Sequence, residues 1–100
     1  MIYITQLIYI KQGQEAVFDE FESVAIPIIS KYNARLMFRI RPTAETIIEG
    51  NGDSPYEVHL TEFDSEADFQ NFLKDEERKK FLHLKEQSIE VSLLIKGETL

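Results

Sequence analysis

Four segments of the chain alternate apolar and polar positions with the period of two that is typical of β-strands. They cover residues 2–10, 36–41, 56–63 and 89–95. Two longer segments, residues 14–32 and 65–87, instead repeat apolar residues every three or four positions, which is the period of an α-helix. The pattern therefore predicts the element order strand–helix–strand–strand–helix–strand.

Residues at the segment boundaries sharpen this prediction. Ser65 is followed three positions later by Asp68, which approximates a capping box at a helix start. Asp75 offers a second N-cap, so the last helix is expected to break and restart there. Asn33 suits the left-handed residue that ends the first helix. Pro27 falls inside the first helical stripe and predicts a kink, because proline has no N–H to donate.

The order βαββαβ predicts an α+β domain of the ferredoxin-like class over residues 1–100, a four-stranded antiparallel sheet with two helices on one face. Right-handed crossovers place the first and third strands in the middle of such a sheet. The second strand then lies at an edge. Pro42, directly after it, agrees with that position, because proline cannot donate to the ladder of a central strand.

Helices on one face leave the other face of the sheet uncovered. Alternation assigns to this helix-free face a mixture of charged, polar and apolar side chains: Tyr3, Leu7, Tyr9, Met37, Arg39, Arg41, His59, Thr61, Phe63 and Leu94. Such a contiguous apolar surface is unusual on a monomer. We therefore predict a homodimer, a dimeric α+β barrel in which the helix-free faces meet around a partly polar cavity.

Composition and charge narrow the range of partners. The formal net charge of −7 repels phosphate backbones and anionic lipids, so we expect neither nucleic-acid nor membrane binding. The apolar run at residues 1–10 is far too short to span a bilayer. The chain has no cysteine, which excludes disulfides and thiolate sites and fits a reducing, cytoplasmic compartment.

One set of residues carries a family resemblance. It consists of Glu49–Gly50, Tyr56–Ser65 and Asp75–Arg78, together with Pro27, Phe72 and Lys96–Gly97. With these residues the chain resembles DUF1330, a family of uncharacterised proteins in the dimeric α+β barrel superfamily. That superfamily also holds antibiotic-biosynthesis-type monooxygenases and haem-degrading enzymes. The resemblance implies the fold and the dimer more directly than any activity.

The resemblance also argues against haem chemistry in this chain. Haem-degrading relatives use a tryptophan, a helix histidine and a first-strand asparagine. This chain has Phe63 and Leu82 at the first two positions. The asparagine position falls at Thr5 or Gln6. The two histidines of the chain are far apart in sequence and do not suggest a metal site. We therefore expect no haem, flavin or metal cofactor.

A candidate site is expected on the helix-free face, between the sheet and a partner subunit. Its predicted ligand-binding side chains are Arg39, Arg41, His59, Thr61, Tyr3 and Tyr9. His59 is the candidate catalytic residue, because an ordinary histidine pKa of about 6.5 suits proton transfer at neutral pH. The two arginines could bind an anion. They could also lower the pKa of His59, since nearby cations disfavour its charged form.

Each of these residues also has a structural interpretation. His59 could be a half-buried histidine that is hydrogen-bonded across the sheet. The arginines could form ion pairs with acidic residues, for which the candidates are Glu57, Glu62 and Glu90. The tyrosines could simply pack with a satisfied hydroxyl.

The sequence is therefore compatible with three functions. The first is a cofactor-free enzyme related to the antibiotic-biosynthesis-type monooxygenases, which acts on a compact substrate. The second is a ligand-sensing dimer without catalysis, and the third is a structural module. The first two need a real cavity, whereas the third expects a barrel filled by side chains.

Overall fold

The computed structural model describes residues 1–99. Within them lie the strands β1 (Ile2–Ile10), β2 (Ala34–Ile40), β3 (Glu57–Phe63) and β4 (Ile89–Glu98) and the helices α1 (Glu15–Ile28), α2 (Glu66–Leu73), α3 (Glu76–Lys79) and α4 (Leu82–Ser88). The strands pair antiparallel in one sheet of order β2–β3–β1–β4. The predicted ferredoxin-like fold is confirmed, with the first and third strands in the middle and the second at an edge.

The predicted caps place the breaks in the second helical segment. The Ser65 hydroxyl accepts the backbone N–H of Asp68 at 3.1 Å and begins α2. The Asp75 carboxylate accepts the backbone N–H of Arg78 at 2.8 Å and begins α3. Each cap satisfies a backbone donor that has no partner in the first turn of its helix. The predicted break at Asp75 is confirmed. A second break, which no cap predicts, lies before α4, so the segment folds as three short helices.

The first helix ends earlier than the apolar stripe. α1 stops at Ile28, one residue after Pro27, and the chain continues as a 3₁₀ turn over Ile29–Tyr32. Asn33 then adopts the predicted left-handed conformation with φ of 54°. The proline is therefore followed by a tightened last turn and a reversal into β2.

The register of the sheet overturns the predicted orientation of His59 and Thr61. Residues directly opposite each other in an antiparallel ladder share one face. Phe63 lies opposite Ile2, and both are buried in the core under the helices. His59 lies opposite Gln6, four residues further along β1 and on the same face. The two predicted site residues therefore lie on the covered face, the side of the sheet that packs against the helices, and their predicted position against a partner is wrong.

A β-bulge turns the last part of β2 over. The register between β2 and β3 shifts between Leu36 and Phe38. Leu36 contributes to the space under the helices, whereas Phe38 and Ile40 are 61% and 53% exposed. Regular alternation over residues 36–41 would place these three residues on one apolar face, and the bulge overturns that expectation. The bulge places Arg39 opposite His59, on the covered face.

The opposite side of the sheet, called the open face below, carries no helix. Leu93 lies opposite Leu7, so the apolar side of β4 points outward. Leu94 lies opposite Gln6 on the covered face, contrary to prediction. The apolar residues of the open face are Leu7, Tyr9, Phe38, Ile40, Val58, Leu60, Val91, Leu93 and Ile95. The same face also carries Tyr3, Thr5 and the Arg35–Glu62 ion pair.

No helix within residues 1–99 is long and apolar enough to cross a membrane.

Candidate functional site

The apolar core between the sheet and the helices is divided by a cavity. One core cluster consists of Ile2, Ile4, Ala34, Phe63 and Phe69, and the other of Phe21, Ala25 and Leu84. The cavity has a volume of about 260 Å³, and members of both clusters line it. Its polar lining consists of Gln6, Glu22, His59, Thr61, Arg78, Lys85 and Ser92. A single subunit therefore holds space for a small molecule under its own helices.

A buried carboxylate, Glu57, organises the charged groups around His59. Its Oε2 accepts the Nε–H of Arg39 at 2.9 Å, and its Oε1 accepts the Nε–H of Arg41 at 2.9 Å. The imidazole Nε2 of His59 is hydrogen-bonded to Oε2 of the same carboxylate. Arg41 also donates to Asp19 on α1 at 2.8 Å. The alternative interpretation of the two arginines, an ion pair with Glu57, is thus confirmed.

Glu57 is ionised because its partners outweigh its burial. Burial by itself raises the pKa of the Glu57 carboxyl. The hydrogen bonds from Arg39, His59 and Arg41 oppose it, and the pKa lies below its ordinary value. A carboxylate with two guanidinium partners is a fixed, charge-compensated acceptor for the imidazole.

His59 is held as a neutral base with a defined tautomer. Burial lowers its pKa, and this effect outweighs the contribution of Glu57, which raises it. An ionised carboxylate can only accept, so Nε2 carries the proton of the neutral ring and Nδ1 keeps the lone pair. Within residues 1–99 the ring makes no second hydrogen bond. The arrangement is that of a histidine base oriented by a carboxylate.

The structure brings some of the predicted site residues together and separates others. His59 and Thr61 line the cavity, and Arg39 and Arg41 are linked to His59 through Glu57. The tyrosines lie on the opposite side of the sheet. Tyr3 lies opposite Glu62, and the Tyr9 hydroxyl donates to the carbonyl of Asp53 at 3.1 Å. The two tyrosines therefore cannot contact a molecule in this cavity.

Three charged residues of the cavity, Glu22, Arg78 and Lys85, are not among the predicted site residues. The sequence holds a signal for Glu22, which follows Phe18 by four positions and precedes Ala25 by three and therefore lies in the apolar stripe of the first helix. Arg78 stands in a run of acidic and then basic residues, a pattern that is typical of a solvated helix face, yet it is 9% exposed.

Burial raises the pKa of the Glu22 carboxyl to about 7, and the negative charge of Glu57 adds to this effect. The nearby cations Arg39, Arg78 and Lys85 act in the opposite direction and are outweighed. Glu22 therefore exchanges its proton near neutral pH, which is the range in which an acid–base group is useful.

No group of three or more His, Cys, Asp or Glu side chains in residues 1–99 converges as a set of metal ligands. The polar groups of the cavity are an imidazole, a carboxyl, two cations, an amide and two hydroxyls. Their chemistry suits hydrogen bonding and proton transfer to an organic molecule.

Comparisons with known proteins show the fold. No family model matches the chain, and no curated protein matches it. It is similar to the RPA0582 protein of unknown function from Rhodopseudomonas palustris, with a TM-score of 0.84 and 14% identity over 99% of this chain and 82% of that one. It is also similar to a NIPSNAP family protein of unknown function from Agrobacterium tumefaciens, with a TM-score of 0.72 and 19% identity over 97% and 86% of the two chains.

A third similar structure bears on assembly. It is a dimeric protein of unknown function and ferredoxin-like fold from Bacteroides fragilis, with a TM-score of 0.71 and 12% identity over 98% of this chain and 95% of that one. Similarity at such identities shows that the chain shares the ferredoxin-like α+β fold with these proteins. It does not transfer an activity.

Proposed function

We propose that the chain is a small-molecule enzyme without a resident cofactor, in which His59 transfers a proton to and from a compact, largely apolar ligand in the cavity. The observation that carries this proposal is a cavity of about 260 Å³ that contains a histidine oriented by a buried carboxylate. This volume is slightly below the roughly 300–1,000 Å³ of pockets for drug-sized ligands. A substrate of one ring or a short chain fits that space.

The proposed step balances without an oxidant or reductant. The Nδ1 lone pair of His59 accepts a proton from an acidic C–H or O–H of the ligand, and the ligand is left as an anion. The same nitrogen returns the proton to the anion. Glu57 stabilises the imidazolium that forms in between, as a carboxylate does beside a histidine base.

The second candidate is a ligand-sensing dimer that binds the same molecule without changing it. The apolar wall of the cavity serves both functions equally. Proton transfer separates them, because a sensor has no need of a base with a free lone pair. A purely structural module is disfavoured by the cavity itself, since such a module gains stability when its core is filled.

We propose further that two copies of the chain pair through their open faces to form a dimeric α+β barrel. Support comes from the apolar side chains of this face, several of which are about half exposed, and from the dimeric Bacteroides fragilis protein of the same fold. Such an interface should bury roughly 1,200–2,000 Å² in total. The ligand site then lies within each subunit, on the far side of the sheet from the partner.

Family and compartment complete the proposal. The residues that resemble DUF1330 include β3, the Ser65 cap and the Asp75 cap, which are the features that shape this fold. We therefore propose membership in that family, and a cytoplasmic location on the basis of the cysteine-free composition.

Two measurements test the proposed function. Native mass spectrometry of freshly purified protein should detect a small bound molecule. Phenylacetone is a suitable probe for the proton transfer, because a base exchanges the hydrogens beside its carbonyl group for deuterium in D₂O. Proton NMR should show faster exchange with the wild type, and the His59→Gln variant should lose about a hundredfold of that acceleration.

His83→Gln is the matched control, since His83 is exposed and outside the cavity lining. It should leave the exchange rate unchanged. Equal acceleration by the wild type and the His59→Gln variant would exclude the catalytic role and leave the sensing function. If no small molecule binds, the proposed site is wrong.

A further inference from the structure

Three charged side chains line the cavity without forming ion pairs. Glu22 is 6% exposed and Arg78 is 9% exposed, and Lys85 is half-buried. Within residues 1–99 none of the three makes an ion pair with another side chain. Buried charges are normally paired, because an unpaired charge loses its hydration without compensation. The site is therefore built for a charged or strongly polar group that it does not itself provide.

Among residues 1–99, the Arg78 guanidinium makes one hydrogen bond. Its Nη1 donates to the carbonyl of Leu73 at 3.4 Å, and its guanidinium carbon lies 5.1 Å from the centre of the Phe72 ring. These contacts hold the guanidinium against the wall of the cavity. A guanidinium has five N–H donors in a planar fork, and this fork matches a carboxylate in a bidentate arrangement.

Lys85 marks the side on which the cavity reaches the surface. A second, more open hollow is lined by Leu82, Lys85, Glu86, Ile89 and Ser92. Lys85, Ile89 and Ser92 line both spaces. The cavity and this hollow therefore adjoin between α4 and β4, where Lys85 lines both.

We propose that the ligand is a small organic anion with an apolar body, whose carboxylate-like group is held by Arg78 and Lys85 and receives a hydrogen bond from protonated Glu22. This inference rests on the proposed function and defines the substrate class of the same site. The apolar body lies against the aromatic side chains Phe21, Phe63, Phe69 and Phe72. The anion neutralises two cations that line the same cavity without an ion-pair partner among residues 1–99.

Glu22 couples this binding to pH. The charged groups around it are Arg39 on β2, Glu57 on β3, Arg78 on α3 and Lys85 on α4, and His59 lines the same cavity. An incoming anion repels ionised Glu22 and accepts a hydrogen bond from the protonated form. Binding should therefore take up a proton at pH 8, where most of the free protein has Glu22 ionised.

Benzoate and its neutral analogue benzamide are matched probes for the anionic group. Isothermal titration calorimetry with the wild type should give a Kd for benzoate at least about tenfold lower than for benzamide. Arg78→Met and Lys85→Met retain an apolar stem and should each remove most of this preference. Lys80→Met, which removes one exposed positive charge outside the cavity, should preserve it.

A second experiment, the pH dependence of benzoate binding, does not require the Arg78→Met variant to fold. The Kd of benzoate should rise about tenfold between pH 6 and pH 8 in the wild type, with proton uptake visible as a dependence of the heat on the buffer. In the Glu22→Gln variant, which cannot ionise, the Kd at pH 8 should equal the wild-type value at pH 6.

The outcomes separate this inference from the proposed function. If benzoate and benzamide bind equally well, the anion site is wrong and the small-molecule cavity stands. The same conclusion follows if inorganic phosphate binds as tightly as benzoate, since the apolar body then contributes nothing. If neither aromatic probe binds, the proposed function and this inference both fail.

Discussion

The two faces of the sheet distribute charge and apolar surface in opposite ways. The covered face carries Glu57 and His59, both almost completely buried, beneath helices that add Glu22. The open face is apolar apart from Tyr3, Thr5 and the Arg35–Glu62 ion pair, and its apolar residues remain partly exposed, such as Phe38 at 61%. In an ordinary small domain the polar groups face water and the apolar groups face the core. This chain reverses the rule in part: charged side chains are buried beside the apolar core on the covered face, and apolar side chains are exposed on the open face.

The reversal has a separate cause on each side. On the covered face, every acceptor of Glu57 has a cationic partner, so burial is compensated, and the remaining charges border a cavity. On the open face, no helix of residues 1–99 covers the exposed apolar side chains. Under the proposed function, the covered face holds a small ligand and the open face packs against a second copy.

Charges placed on the open face should have the largest effect. In a two-fold dimer, Leu93→Asp and Phe38→Asp each bring two carboxylates into an apolar interface. The dimer dissociation constant should rise about a thousandfold or more, since like charges in an interface cost several kcal/mol. Sedimentation velocity over a range of protein concentrations measures this constant.

Ile48→Asp is the matched control, because Ile48 is 99% exposed in the loop before β3 and lies off the sheet. It should leave the dimer intact. A wild type that is monomeric at micromolar concentration, or a Leu93→Asp variant with an unchanged dissociation constant, would break the comparison on this side.

Removal of the buried carboxylate on the covered face should have the next largest effect. Glu57→Ala leaves two guanidinium groups and the imidazole without their shared acceptor, so the free energy of unfolding should fall by about 3 kcal/mol. Urea unfolding at one fixed protein concentration measures the change. Glu66→Ala removes a partner from an exposed ion pair with Lys96 and should cost no more than about 1 kcal/mol.

Glu22 should have a smaller effect on the free energy of unfolding, and this effect should depend on pH. Its pKa rises from 4.5 to about 7 on folding, so the folded chain keeps a proton that the unfolded chain has released between these values. This contribution to stability is therefore present at low pH and is lost as the pH rises through about 7. The free energy of unfolding of Glu22→Gln minus that of the wild type should therefore be about 2 kcal/mol larger at pH 8 than at pH 5.

Urea unfolding at both pH values tests this sign. Glu20→Gln, an exposed position on the same helix, should show no such difference. If Glu22→Gln and the wild type have the same stability at both pH values, the Glu22 carboxyl is hydrated. The covered face then buries less charge, and the two faces differ less.

Local features of the fold could be predicted from the sequence because they depend on neighbouring residues. The capping serine and aspartate, the left-handed Asn33 and the helix break at Asp75 all follow from residues close together in the chain. The order of the strands in the sheet follows from the order of the elements and the right-handed crossover rule. His59 could be recognised as chemically useful from its residue type alone, because an ordinary histidine pKa suits proton transfer. Glu57 could be predicted as a possible partner of the arginines, because the pairing of β2 with β3 brings them close together.

What the sequence by itself determined is the set of elements, their order and the separation of each strand into two faces. Which face meets the helices was decided by the tertiary structure, because alternation of side chains is symmetric about the strand. One inserted residue at the β2 bulge exchanged Phe38 for Arg39 on the covered face. The site under the helices exists because long-range pairing aligned His59 with Gln6, and no local pattern specifies that register.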